Sequence, residues 1–333
     1  MMEPHVVSNL VVAVLVTGGL VVTGLVRRSP PWREAAGAVA RRRPVALGAV
    51  VFYVGIALAD SVAWIGGADA VRPRSIVDRM FPIDFQERSY SAPLAAHDFM
   101  GDAPLTYPGR HLLGTDILGR DVLHMALKGA RVALLIGGLT TLIIIPVALV
   151  FGVSAGYFGG VVDDTVFFVM STLASIPGIL LLTALIMVLG VGTVQVCVAL
   201  GVTGWVGFCR VARGETLKLR ELDYVQAARA LGGTAPGIIV RHVVPNLMHL
   251  VVITFVLTFS GLVLSEAVLS WLGLGIAGSW GQMIDQARDE LARDPVIGWN
   301  LAAASVALFG LILAVNMLGD AIRDVLDPRT RRA

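Results

Sequence analysis

The chain reads as an all-α, polytopic helical membrane protein. Three observations carry that reading. Of its 333 residues, 56% are hydrophobic and only 15% are charged, with a mean hydropathy of +0.78, whereas soluble domains carry roughly 25% charged residues. The apolar residues gather into seven runs, most of them near the ~20 residues a helix needs to cross a bilayer. The positive charges gather between runs, which is how such proteins fix their orientation. Inside a bilayer the backbone has no water to bond, so the runs are expected to be helices.

In chain order the runs are roughly 6–26, 45–65, 130–152, 165–190, 192–212, 248–270 and 298–319. The first has no charge and is long enough to span. Glu3 stands where a secretion signal would be basic, and no clear Ala-x-Ala cleavage site follows. Residues 27–43 carry Arg27, Arg28, Arg33, Arg41, Arg42 and Arg43 against Glu34 alone. The 213–247 loop has Arg213, Lys218, Arg220, Arg229 and Arg241, and the tail has Arg323, Arg329, Arg331 and Arg332. If the second to seventh runs alternate, all three stretches fall on one side, expected to be the cytoplasm. The N-terminus is then extracytoplasmic and the C-terminus cytoplasmic.

The expected organisation follows. Residues 1–43 form an extra span and a basic linker, and 44–66 the first core span. Residues 67–128 are mixed in charge and broken by Pro73, Pro82, Pro93, Pro104 and Pro108, which predicts a folded extracytoplasmic segment. Residues 129–322 are the core domain, with a cytoplasmic loop at 213–247, and 323–333 the tail. Gly190-Val191-Gly192 makes the fourth and fifth runs a tight helical hairpin. Pro146, Pro177 and frequent glycine predict kinked, closely packed helices.

Several function classes drop out. A net charge of +2 gives no sign of nucleic acid. Cys197 and Cys209 sit in one run, twelve residues apart; at about 18 Å along a helix they are too far for a disulfide. No Cys/His spacing suggests a metal site. The only lysines, Lys128 and Lys218, do not follow glycine, so no phosphate-binding Gly-Lys-Ser/Thr loop exists. Any nucleotide-driven work must come from another chain. A secondary transporter would need ion-coupling groups at mid-membrane, and these runs offer few. Gly152-Val-Ser-Ala-Gly156 has the letters of a nucleophile elbow, but that motif needs a strand-to-helix turn. The rival reading is an intramembrane serine protease using Ser154 with His249 or His242; small residues packing two helices explain the same letters.

The 213–247 loop holds the densest pattern. Asp223 with Gln226 three residues on can form a capping box that starts a helix at Tyr224. Gly232-Gly233 would end it, and Thr234 with Pro236 would start a second helix. Ala227 and Ala228 are small enough to let a partner surface approach closely. Elsewhere, Glu266 is an acid in an apolar run, read as packing or gating. Asp60, near a helix end, is expected to reach water. Arg323 is placed to pair with Asp320 or Asp327. Thr115, Asp116, Arg120 and Asp121 either face a partner outside the membrane or cap the helix that follows.

The order of these pieces resembles the ABC importer permeases of the dipeptide/oligopeptide/nickel family. The matching pieces are His111 to Asp121, Gly129 to Leu134, Gly156-Tyr-Phe-Gly-Gly160 followed by Val162-Asp163, and Ser175-Ile-Pro177. They continue with Tyr224 to Asn246, Ser265 to Gly275, Ser279-Trp-Gly281 and Asn316 to Pro328, and cover about two thirds of the chain. The family's coupling loop reads Glu-Ala-Ala, three residues, Gly, nine residues, Ile-x-Leu-Pro; here Gln226-Ala227-Ala228, Gly232 and Val244-Pro245 stand at the matching offsets. The departures are Gln226 for Glu, His242 for Ile, Trp271 for Phe or Tyr, a short stretch from Gly275 to Ser279 and the extra first span.

The resemblance implies a type I importer permease fold with about seven spans in the bacterial inner membrane, closest to the second permease such systems pair. It implies a related partner permease, two ATPase subunits or domains that bind ATP and Mg, an extracytoplasmic solute-binding protein, and no covalent chemistry, cofactor or metal in this chain. Peptides are the commonest cargo it implies; nickel chelates, opines and peptide antibiotics share the scaffold. Tyr224, Gln226, Ala227, Ala228, Gly232, Pro245 and Asn246 would couple to the ATPase. Gly156, Gly159, Gly160 and Glu266 would gate or pack, and Thr115, Asp116, Arg120 and Asp121 are the candidates for binding-protein contact.

Overall fold

The computed structural model describes residues 40–64, 73–81, 87–99 and 103–326, with Gly24, Gly37 and Gly101. The expected first span at 6–26, most of the basic linker and the tail beyond Leu326 lie outside the described residues. The described chain is mostly helical; the described residues between 87 and 121 form turns and loops, and one short antiparallel pair joins β1 (Ala63–Trp64) to β2 (Arg74–Ser75), with Ala63 opposite Ser75. Its helices are α1 (Pro44–Ser61), α2 (Ile76–Met80), α3 (Val122–Phe158), α4 (Gly160–Ala174), α5 (Gly178–Leu189) and α6 (Thr193–Leu219). They continue with α7 (Asp223–Ala230), α8 (Ala235–Ile238), α9 (Val244–Leu269), α10 (Trp280–Leu291) and α11 (Trp299–Leu326). Among the described residues five helical segments are long and apolar enough to span, counting Ala235–Leu274 as one, and the bent pair α4–α5 makes a sixth.

Two expectations change in detail. The run 165–190 is not one helix: α4 and α5 meet at an 88° bend. Pro177 has no N–H to donate and disfavours helical backbone at Ile176, so the helix stops although apolarity continues. At 37 residues, or about 55 Å, α3 exceeds the ~30 Å hydrocarbon thickness. It starts at Val122, ahead of the apolar run expected at 130–152.

The chain divides into two compact units, Met1–Leu134 with Val263–Ala333, and Leu135–Leu262. In the first unit, α11 packs on α1 and α10 packs on α11. The Tyr53 hydroxyl donates to the Ala307 carbonyl at 2.9 Å. Trp280, 1% exposed, donates to the Ala126 carbonyl at 2.7 Å and lies where a Gly129 side chain would be. Glu266 is buried and accepts from the Ser270 hydroxyl at 2.7 Å. Cβ atoms at Gly275 and Gly281 would meet that same hydroxyl at 2.2 and 2.6 Å. These contacts tie the end of α9 to α10 through Ser270.

Asp60 does not reach water. It is 1% exposed, accepts from Ser75 Oγ at 2.8 Å, and lies 3.6 Å from both Lys128 Nζ and Arg131 Nη1. An unpaired buried carboxylate is costly, so it survives there through its cations. Lys128 also reaches Asp78 at 2.5 Å, and His124 Nε2 lies 3.0 Å from the same carboxylate. Burial alone would raise the Asp78 carboxyl; bonds from His124, Lys128 and the Ser75 N–H outweigh it and hold it well below its usual range. Burial would likewise raise Glu87, but backbone N–H groups of Tyr107, Thr106 and Arg88 lower it instead. Both depressed carboxyls add stability that is present above the unfolded-state value of about 4 and is lost as pH falls below it. Thermal unfolding in detergent should be flat near neutrality and weaken below about pH 4. Asp78→Asn combined with Glu87→Gln should flatten that acid limb; an unchanged limb would refute the assignment.

Candidate functional site

The loop after α6 lies wholly in the second unit. α6 ends at Leu219, the chain turns through Arg220–Leu222, and α7 begins at Asp223. The expected capping box is not formed. The helix starts one residue early, with Leu222 at the cap position and no side-chain cap, so Asp223 sits inside the first turn, where its charge still suits the helix dipole. The Gln226 amide instead donates to the Arg220 carbonyl at 3.0 Å, bracing the turn.

Gly232 ends α7 as the spacing predicts. Its φ is +81°, and Gly233 N–H bonds the Ala228 carbonyl at 3.0 Å while Gly232 N–H bonds Arg229 at 3.0 Å. That pair of bonds is a Schellman stop, which glycine favours. Thr234 then caps α8 by position, without a side-chain bond. A π-turn at Ile239–Val243 follows, and Val244 N–H reaches back to the Ile239 carbonyl. Pro245 explains the wider turn: its ring clashes with the carbonyl four residues back and it donates nothing.

One apolar cluster holds the loop: Val153 and Tyr157 from α3, Leu219, Val225, Ile238, Val243 and Leu247, all buried. Val225 and Ala228 share the inward face of α7, one helical turn apart. Ala228 is therefore half-buried against the cluster. Tyr224, Gln226, Ala227 and Ala230 face outward, with Leu231 89% exposed beside them. Asn246 bridges the loop's two ends, donating to Tyr224 Oη at 3.1 Å and the His242 carbonyl at 2.6 Å.

Three arginines fasten this loop region to the α3–α4 corner, a feature the linear reading missed. The Arg229 guanidinium lies 5.2 Å from the Tyr157 ring centroid. Arg220 donates to the Gly156 carbonyl at 3.1 Å, one of the acceptors a helix end leaves open. Arg213 grips Asp163 with two bonds, Nε to Oδ1 and Nη2 to Oδ2, the second at 2.6 Å. The only linear hint was an acid soon after the Gly159-Gly160 pair, and its partner lies fifty residues on.

The elbow letters around Ser154 have a packing explanation. A Cβ at Gly152 would lie 2.7 Å from the Cys209 carbonyl, and one at Gly156 would lie 2.7 Å from Thr216 Cβ. α3 and α6 therefore touch backbone to backbone through a small-xxx-small seam. Among the described residues no hydrogen bond joins Ser154 to His242 or His249; His249 instead lies 2.9 Å from the Asn246 carbonyl. Gly159 and Gly160 both have positive φ, +67° and +52°, and form the corner itself. Cys197 and Cys209 are free and buried.

The segment before α3 uses its charged residues internally. Asp116, fully buried, accepts from the Leu118 and Arg120 N–H groups and from the Arg120 side chain. Asp121 caps α3 by accepting from His124 N–H at 3.0 Å and pairs with His111 at 2.8 Å. The Thr115 hydroxyl, also buried, donates to the Arg88 carbonyl. Of these four residues only Arg120, with a side chain 37% exposed, presents appreciable surface. At the far end, no ion pair joins Arg323 to Asp320 among the described residues, and Asp327 lies outside them.

Comparison with known proteins matches this architecture. A family model described as the binding-protein-dependent transport system inner membrane component aligns with residues 148–332, which include the loop and the corner. The dipeptide transport system permease protein DppC of Bacillus subtilis is 35% identical over 225 residues, 67% of this chain and 70% of its own length. The glutathione transport system permease protein GsiD of Pectobacterium atrosepticum is 34% identical, covering 66% of this chain and 73% of its own. The oligopeptide transport system permease protein OppC of Haemophilus influenzae is 32% identical over 254 residues, 75% of this chain and 78% of its own. With its apolar spans, its looped helix pair and these relatives, the chain belongs to the binding-protein-dependent inner membrane components, the multi-pass permease subunits of ABC importers.

Proposed function

We propose that this permease couples an ATPase partner to import of small peptides, with loop 220–246 as the docking element on the cytoplasmic side. The observation that carries this reading is the loop's two-sided build. Its inward face is fixed by the Val225 cluster, while Tyr224, Gln226, Ala227 and Leu231 stand exposed at a helix stopped by Gly232. A surface held this firmly transmits a push rather than absorbing it. The chain carries no nucleotide-binding loop of its own, so the energy comes from separate ATPase subunits, with a second related permease completing the pathway. Peptide cargo is supported by relatives named for dipeptides, oligopeptides and glutathione, which share peptide bonds and terminal charges.

Affinity purification from native membranes in a gentle detergent, followed by mass spectrometry, tests the reading. A second permease and an ATPase should come along, and a binding protein would give access to the cargo. Recovery of this chain alone, with the loop open to protease, would defeat it.

A further inference from the structure

The α3–α4 corner has features that holding the loop does not require. Two consecutive glycines with positive φ connect α3 to α4, a conformation glycine adopts freely and other residues resist. Added Cβ atoms would meet only an Arg220 nitrogen at 3.6 Å from Gly159 and nothing within 4 Å from Gly160. The pair is thus not there for close packing. It leaves the corner free to bend.

On one side of that corner everything is locked. α3 and α6 are in backbone contact at Gly152 and Gly156, and Tyr157 is buried in the loop's own cluster. On the other side α4 begins, and its first turn carries Asp163, gripped by Arg213 of α6 through a two-bond fork. Such charge-assisted forks fix direction as well as distance. The side chains are 29% and 19% exposed, enough shielding for the pair to matter more than a surface bridge.

We propose that Gly159-Gly160 is a hinge and that Asp163–Arg213 is the tie that makes α4 move with the docking loop, so that these are positioning residues of the coupling step. The inference rests on loop 220–246 being the docking element. When the ATPase moves α7, the Val225 cluster and Arg229 carry α3 and α6 with it, and the tie swings α4. Beyond the 88° bend the movement reaches α5. Without the tie, the hinge lets α4 stay behind.

The test uses the whole importer, purified from native membranes into lipid nanodiscs. Spin labels go on cysteines replacing Ala174 and Val194 in one sample, and on a single cysteine replacing Leu231 in another; all three positions are exposed. Val194 lies on α6, so the Ala174–Val194 distance, read by pulsed electron resonance without nucleotide and after trapping with ADP and vanadate, reports whether α4 moves together with α6. In the parent, where the tie holds, that distance should be the same in both states. In Asp163→Asn and in Arg213→Gln it should change on trapping, because α4 stays behind, while Asp163→Glu, which keeps the charge, should hold it as in the parent. An unchanged distance in Asp163→Asn and Arg213→Gln would overturn the tie, and so would a distance that changes in the parent. Loss of the assembled complex in both variants would also overturn it, by making the pair a clamp for folding. The Leu231 label should be immobilised in the assembled importer; a label as mobile there as in the permease alone would instead defeat the docking reading itself.

Discussion

Gly119→Ala should cost this protein most of the order in its 87–121 segment. A Cβ at Gly119 would stand 1.9 Å from the Glu87 carbonyl oxygen and 3.0 Å from its carbon. The obstacle is backbone, and it is held there by the bond from Glu87 N–H to the Gly119 carbonyl at 3.1 Å. The new side chain must also accept φ of +71°. Overpacking and left-handed strain together are worth about 3 kcal/mol or more, a large part of a typical domain's stability. Gly109→Ala is the matched control. Its φ is +72°, yet nothing lies within 4 Å of the added Cβ, so it bears only the backbone cost of about 1 kcal/mol. Limited trypsin digestion should cut at Arg88 and Arg110 in Gly119→Ala well before it does so in Gly109→Ala. Equal protection in the two variants would show that the backbone at Glu87 gives way easily.

That contrast marks what a linear reading reaches. Gly232 was legible because a helix stop needs only the residues around it: small residue, left-handed φ, next helix close behind. The apolar runs were legible for the same reason, each being a property of about twenty neighbouring residues. Features that depend on what a distant segment brings were not. Asp60 looks like an acid at a helix end until Lys128 and Arg131 arrive from α3. Gly119 looks like any turn glycine until Glu87 passes over it. Asp163 and Arg213 are fifty residues apart, and neither position alone marks a pair. Within α7 the pattern showed a helix with two alanines and did not show which alanine faced in. The face was set by Val225, whose partners Val153 and Tyr157 come from α3. The break at Pro177 was visible in the letters, but continuous apolarity on both sides masked it.

Ala227→Trp and Ala228→Trp, adjacent and identical in chemistry, should therefore fail in different ways. Ala227 is exposed on α7, so a tryptophan there projects from a loop that still folds. It occupies the space an ATPase surface needs, and the bulk of an indole against a fitted interface should remove nearly all co-purified ATPase. Ala228 is half-buried against the Val225 cluster, and its carbonyl takes the bond from Gly233 that completes the helix stop. An indole there overfills a packed cluster at about 1–3 kcal/mol, and it loosens the cluster before any partner arrives. The measurement is paired: ATPase recovered with the permease, and tryptic cleavage at Arg229 in the permease alone. Ala227→Trp should lose the ATPase and keep Arg229 protected as in the parent. Ala228→Trp should lose both. An Ala227→Trp protein that retains its ATPase would mean the outward face of α7 is not where the partner sits, and the exposed residues around Leu231 would then lose their assigned role together with it.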